Sequence, residues 1–437
     1  MRRAVCALLS LVLFAIVIGG CGGRPEEAKK AAPDVSLNLW GWIDSGSLEE
    51  RVVQEAVADF NRSNPFHAQI DYQTFNDDFK IKIATEAAAN NLPDLFFSWE
   101  EGFLAPFVRS GMVLPLDDMI DQTRFIPGIL DHVSFDGHVY AMPLVRTAEV
   151  VYYNRALFEK YHITVPSTTD ELIAAVRTLR AAGVTPIALG NKDVWPGGLL
   201  LGTLVYRHGG GAVFRKAADG DVPFTAKPFI DAAADFKRLV DAGAFGRNTN
   251  SADMDTARRQ FMEGKAAMWV MGSWELDDLN ADQLPDGKPN PLHGHVGFFN
   301  WPEVSDGAAG REAWIVSPDF NIAVSRNVRS KEAAAYFLKL ISSPKYQGEM
   351  VRISHLPATV LREASKSTDS PLVSELMRQL GSAKDTITFP DRIMGQTTIG
   401  GAMNASVQEL LIGRDPKETM KRLEERASEY RSESAGR

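Results

Sequence analysis

Cysteine is nearly absent from this chain. Of 437 residues only Cys6 and Cys21 carry a thiol. Both sit at the extreme N-terminus, so the body of the protein has no disulfide and must draw its stability from a buried core. Long apolar runs are also missing, apart from Ala4 to Gly20, which only Ser10 interrupts. Catalytic signatures are missing too: there is no G-x-S-x-G elbow, no Walker A loop, no G-x-G-x-x-G and no H-E-x-x-H. A Ser342-x-x-Lys345 match contains Pro344 and is not followed by K-T-G, which marks it as a chance match. The adjacent Glu100 and Glu101 do not make a glycosidase pair, because that chemistry needs carboxylates facing each other across the scissile bond. The eight histidines are scattered. Their one close pair, His293 and His295, lies in a Pro/Gly-rich loop without nearby acidic or cysteine ligands, so neither a metal nor another cofactor is expected.

Positive charge is in deficit as well. There are 47 Lys and Arg against 56 Asp and Glu, a formal charge of −9. Such a surface repels phosphate backbones and anionic headgroups, which excludes nucleic acid and electrostatic membrane binding as partners. At 45% hydrophobic and 24% charged, the composition is that of an ordinary globular protein. The length exceeds the roughly 250–300 residues at which single cores stop growing, so two lobes are expected.

The one apolar run has a specific reading. Arg2 and Arg3, the apolar stretch and the small residues before Cys21 make a secretory signal peptide over residues 1–20. The pattern resembles a bacterial lipobox, in which Cys21 is acylated and begins the mature chain. The alternative is an uncleaved anchor, and about 17 residues is at the bottom of the spanning range. Gly22 to Asp34 is poor in large apolar residues and reads as a flexible tether with a reach of roughly 20 Å.

From residue 35 onward short apolar strands alternate with capped helices, an α/β pattern. Strands are expected at 35–40, 68–73, 94–98, 150–154 and 266–271. Helices are expected after Ser47 with Glu50 in a capping box, over 77–90, from Thr168 to Gly183, and over 230–243, 253–263, 330–341 and 415–430.

Five tryptophans stand out by context: Trp42 in GWIDSGS, Trp99 in FFSWEEG, Trp195 in DVWPGG, Trp274 in MGSWE and Trp314 in REAWIVS. On a loop, an indole presents a flat apolar face that is costly to leave wet. A sugar ring, with an apolar C–H face and a rim of hydroxyls, matches such a plane flanked by carboxylates, amides and guanidinium groups. Each tryptophan could equally plug a core or a lobe interface.

Several blocks occur in a recognisable order. They are Leu92-Pro-Asp-Leu-Phe-Phe-Ser-Trp99, Phe107 to Leu116 with Asp117-Asp118, Asp136 to Pro143 leading into Val150-Val-Tyr-Tyr-Asn154, Thr185 to Pro196, Phe261 to Met268 with Gly272-Ser-Trp274, Gly297 to Pro302, and Phe320 to Ser325. Together they resemble the extracellular solute-binding proteins of carbohydrate-uptake ABC transporters, the group with maltodextrin- and multiple-sugar-binding lipoproteins. The resemblance implies a two-lobe, periplasmic-binding-protein-like (type II) α/β fold with the ligand between lobes. Lobe 1 would comprise 35–144 plus 302–342 and lobe 2 would comprise 145–301 plus 343–437. Mapped by motif, the cleft would draw on Trp42, Asp44, Asn76, Asp77, Trp99 and Glu100. Across it would stand Arg146, Glu149, Trp195, Trp274, Trp314, Asp319 and Arg392. Asp77 could instead cap a helix, Asp44 could be a solvated loop charge, and Arg146 and Glu149 could pair with each other at the hinge. Relatives often carry glycine where this chain has Glu100-Glu101, two carboxylates that would grip hydroxyls, favour a cationic or amino sugar, or shorten the cleft. The implied role is non-enzymatic: a monomeric, lipid-anchored receptor outside the cytoplasmic membrane that passes a carbohydrate to ABC permease subunits. The alternatives are a secreted glycan-active enzyme and a receptor serving a membrane sensor kinase.

Overall fold

The computed structural model describes residues 34–43, 45–75, 78–283, 287–353, 356–357 and 370–435. The signal segment, Cys21 and the tether up to residue 33 lie outside these, as do Asp44, Asn76 and Asp77. Among the described residues no helix is long and apolar enough to cross a membrane.

The strands, in chain order, are β1 (Val35–Gly41), β2 (Ala68–Thr74), β3 (Leu95–Ser98), the small hairpin β4 (Ser134–Phe135) and β5 (His138–Val139), then β6 (Ala141–Met142) and β7 (Val145–Asn154). They continue with β8 (Thr185–Ala188), β9 (Ala266–Gly272), β10 (Val296–Phe299), β11 (Ala313–Asp319), β12 (Asn321–Val324), β13 (Leu356–Pro357) and β14 (Asp385–Ile387). One sheet has the order β2-β1-β3-β12-β6, and a second runs β14-β11-β7-β9-β8 with β10 and β13 also on β7. Helices cover both faces of the first sheet. Leu95 and Phe97 of β3 enter one apolar cluster and Phe96 enters another, which is why this strand is continuously apolar rather than alternating.

Local signals at the helix starts hold. Ser47 accepts from the Glu50 amide, Thr168 from Glu171, Asp253 from Thr256, Ser330 from Ala333, and Asp415 from Lys417 and Glu418. Each satisfies amides that the helix itself leaves without a partner. The helix Trp195–Gly209 carries no such signal. It is apolar nearly all round because it is buried between the second sheet and neighbouring helices, so it shows no amphipathic period.

Among the described residues the chain passes between the two cores at three points. Val145 belongs to the first core and Ala148 to the second; Val316 belongs to the second and Ile322 to the first; Ile353 belongs to the first and Leu356 to the second. These points differ from the boundaries expected from motifs. Residues 302–316 sit with the second sheet because Arg207, on Trp195–Gly209, donates to the carbonyls of Trp301, Gly310 and Ala313 and to Asn300 Oδ1, at 2.7–2.9 Å. The helix Pro344–Arg352 stays with the first core through Tyr346 and Met350. Motif order places blocks along the chain but is silent on which core their apolar faces enter. β7 is also longer than the expected 150–154, because its first half crosses between lobes and carries polar residues.

Candidate functional site: a cleft between the carboxyl edges of two sheets

β1, β2 and β3 run parallel, so Gly41, Thr74 and Ser98 end at one edge of the first sheet. β12 begins at that edge, with Asn321 opposite Ser98, and β6 ends there at Met142. In the second sheet β8 and β9 are parallel, and Gly272 at the end of β9 faces Glu149 near the start of β7. β11 ends at Asp319, opposite Val145, and β14 runs parallel to β11. Both sheets therefore turn the carboxyl ends of their parallel strands toward the crossings, the place where open α/β sheets hold ligands.

On the first edge Trp42 and Trp99 stack, with ring centroids 3.9 Å apart and an interplanar angle of 17°. Phe79 and Phe103 pack edge-on or tilted around them, and Lys80 Nζ lies 4.7 Å from the Trp99 ring centre. On the second edge Trp195 and Trp274 meet at 6.2 Å, and Phe389 lies 5.9 Å from Trp274. Gly272 makes room for this: a Cβ there would lie 2.0 Å from the Trp274 ring. The fifth tryptophan is placed differently. Trp314 is a residue of β11 inside the second core, only 3% exposed, and not a loop residue. The apolar string Ala-Trp-Ile-Val is strand, and its preceding charged residues make it look like a loop.

Between the aromatic groups lies a buried polar network. Glu100 has no exposed surface, and it accepts hydrogen bonds from Ser317, Thr388 and Arg392, the last at 3.0 Å to Oε2. Arg392 also reaches Ser317 Oγ at 3.1 Å and Asp319 at 3.8 Å, and its guanidinium lies 4.8 Å from the Phe389 ring centre. Burial opposes the Arg392 charge, but Glu100 and Asp319 outweigh it and hold the guanidinium's pKa above its usual value. The structure thus brings together Trp99, Glu100, Asp319 and Arg392, and gives Glu100 protein partners on three sides.

Two candidates stand apart. In the β7–β11 ladder Val145 faces Asp319, Arg146 faces Pro318 and Thr147 faces Ser317. Ser317 and Asp319 turn to Arg392, so Thr147 shares their face while Arg146 shares the opposite one with Pro318 and Leu356. Burial lowers the Arg146 pKa to about 10. Glu149 does not pair with Arg146. It is hydrogen-bonded to Thr203 on Trp195–Gly209, and burial lifts its carboxyl pKa to about 8, against the opposing pull of Thr203 and Arg207. Three residues apart on one strand, the Arg146 and Glu149 side chains leave opposite faces and cannot meet.

Sequence reasoning missed Ser317, Thr388 and Thr147. Thr147 Oγ1 is buried on the network's face with no hydrogen-bond partner. Their only prior signal is position: each lies within two residues of a strand end at the crossing.

The comparisons with known proteins agree with this arrangement. The model of the bacterial extracellular solute-binding protein family matches residues 45–348, and the chain belongs to that family. The diacetylchitobiose-binding protein of Streptomyces coelicolor is 25% identical over 365 residues, 80% of this chain and 81% of its own. A solved structure described with xylan utilization by Caldanaerobius polysaccharolyticus is 29% identical, with a TM-score of 0.79 over 89% of this chain and 99% of its own. A chitin oligosaccharide binding protein shares the fold with a TM-score of 0.81, covering 92% of this chain and all of its own, at 24% identity. The fold is the two-lobe solute-receptor fold with its cleft between lobes.

Proposed function

We propose that this protein is a carbohydrate receptor of an ABC importer: a sugar enters the cleft, both lobes contact it, and the closed form is presented to permease subunits in the membrane. The observation that carries this reading is that each lobe carries a tryptophan pair, Trp42–Trp99 and Trp195–Trp274, at the carboxyl edge of its sheet. Indole faces beside a polar edge suit a ring with apolar faces and a polar rim. Closure follows because a ligand that touches both lobes does so only in the closed state, which gives it differential affinity. The names of the relatives, which bind diacetylchitobiose and chitin oligosaccharides, support a saccharide ligand.

The receptor reading includes an absence of turnover, a monomeric state and a lipid on Cys21 that holds the protein at the extracytoplasmic face of the cell membrane. Titration calorimetry with chito- and xylo-oligosaccharides tests it, with product analysis of the same mixtures. Binding heat with unchanged saccharide supports a receptor. Saccharide cleavage supports the enzyme alternative, and binding of amino acids with no response to any saccharide refutes the carbohydrate assignment.

A further inference from the structure

The loop that follows β3 touches the second lobe directly, through three independent contacts. Glu100 meets Arg392 in the buried network. The Gly102 amide donates to the Arg392 carbonyl at 2.9 Å, and a Cβ on Gly102 would lie 2.7 Å from that oxygen. The third contact is nearer the surface. Glu101 Oε1 receives His132 Nδ1 at 2.8 Å and Arg215 Nη2 at 2.8 Å.

These partners belong to different lobes. His132 lies in the 3-10 helix Ile129–Val133, whose Ile129 and Val133 enter the first lobe's clusters. Arg215 lies on the helix Ala212–Asp219, whose Val213, Phe214 and Ala217 enter the second core. Glu101 sits at the cleft edge of the first sheet, so its bond to Arg215 exists only while the lobes are together at that edge. The carboxylate is 8% exposed while the Arg215 side chain is 62% exposed. The arginine thus has little to do inside its own lobe.

The backbone gives a separate indication. Glu101 adopts φ 45°, the left-handed region that glycine occupies without penalty and other residues occupy at a cost. A glutamate held there needs a compensating contact, and the pair with His132 and Arg215 supplies it. We infer that Glu101 and Arg215 form an interlobe latch that favours the closed arrangement before any ligand binds. Glu101 and Arg215 are then positioning residues that act through the lobe equilibrium and touch no sugar. The inference builds on the receptor reading of the cleft, but its test uses no sugar, so the two fail separately.

The test is small-angle X-ray scattering of the purified ligand-free protein and of Arg215→Ala, with a melting curve of each. A closed chain of this size has a radius of gyration near 22 Å. Arg215→Ala is expected to exceed the parent by about 1 Å or more while melting within about 2 °C of it, since an exposed arginine contributes little to its own lobe. Raising the salt to about 0.5 M should expand the parent toward the variant and leave the variant unchanged. Glu101→Gly, which relieves the positive φ while removing the carboxylate, should expand the ligand-free protein in the same way and serves if Arg215→Ala does not fold. Equal radii for parent and variants, or the same salt response in parent and Arg215→Ala, would overturn the latch.

Discussion

Replacing Arg392 with methionine tests the buried network most directly. Its side chain is 9% exposed and, among the described residues, it is the only cation paired with Glu100, which is fully buried. Methionine has similar length and leaves no large void, so the loss falls on Glu100, left with two hydroxyl donors and no counter-charge. Breaking one partner of a buried pair costs about 3–5 kcal/mol. For a lobe of roughly 200 residues that corresponds to a fall in melting temperature of about 6–15 °C. Adding Glu100→Gln removes the stranded charge while keeping an oxygen that can accept from Ser317 and Thr388. The double variant should therefore recover most of the loss, because replacing both members of such a pair is often close to neutral. The assay is a thermal melt of parent, both single variants and the double variant, giving a coupling of about 2 kcal/mol or more. A single variant Arg392→Met that melts within about 2 °C of the parent would refute this account of the network. So would a double variant less stable than either single one.

Other perturbations follow from the same geometry. Gly272→Ala should displace the Trp274 ring and weaken saccharide binding, read by calorimetry, about fivefold to tenfold, although residue 272 offers no side chain to a ligand; unchanged affinity would leave Trp274 a purely structural role. Burial raises the Glu149 pKa from 4.5 to about 8, so between those values the folded chain keeps a proton that the unfolded chain has released. Stability therefore falls as pH rises through that window, and Glu149→Gln should flatten the slope of melting temperature against pH. Cys21→Ala should move the protein from the membrane pellet to the soluble fraction, and retention in the pellet would argue for an uncleaved anchor.

What the sequence could convey depended on the range of the interactions involved. Helix starts were legible because a cap and its amide are three residues apart, as with Ser47 and Glu50 or Thr168 and Glu171. That Trp42, Trp99 and Trp274 follow strand ends was legible because strand ends are local too, whereas Trp195 opens a helix rather than a loop. The fate of Glu100 was not. Its partners Ser317, Thr388 and Arg392 lie 217, 288 and 292 residues away, so it read as a candidate for gripping a ligand when the protein itself occupies it. Trp314 misled for a related reason: charged residues before it mimic a loop, while its burial depends on β14, some seventy residues further on, where Thr386 pairs with it. The side to which Arg146 turns was hidden by a strand longer than its apolar half suggested.

The ladder that joins β7 to β11 runs unbroken from Val145 opposite Asp319 to Ala148 opposite Val316. Two hydrogen-bonded strands cannot slide past each other without breaking that register, but they bend and twist as a ribbon at little cost. With β13 on the other side of β7 at Val145 and Arg146, the joint is a three-stranded leaf spring that resists shear along the strands and leaves flexing as its soft motion. Such a joint would return to the same alignment after each opening, and so would bring the two carboxyl edges back in one relative orientation.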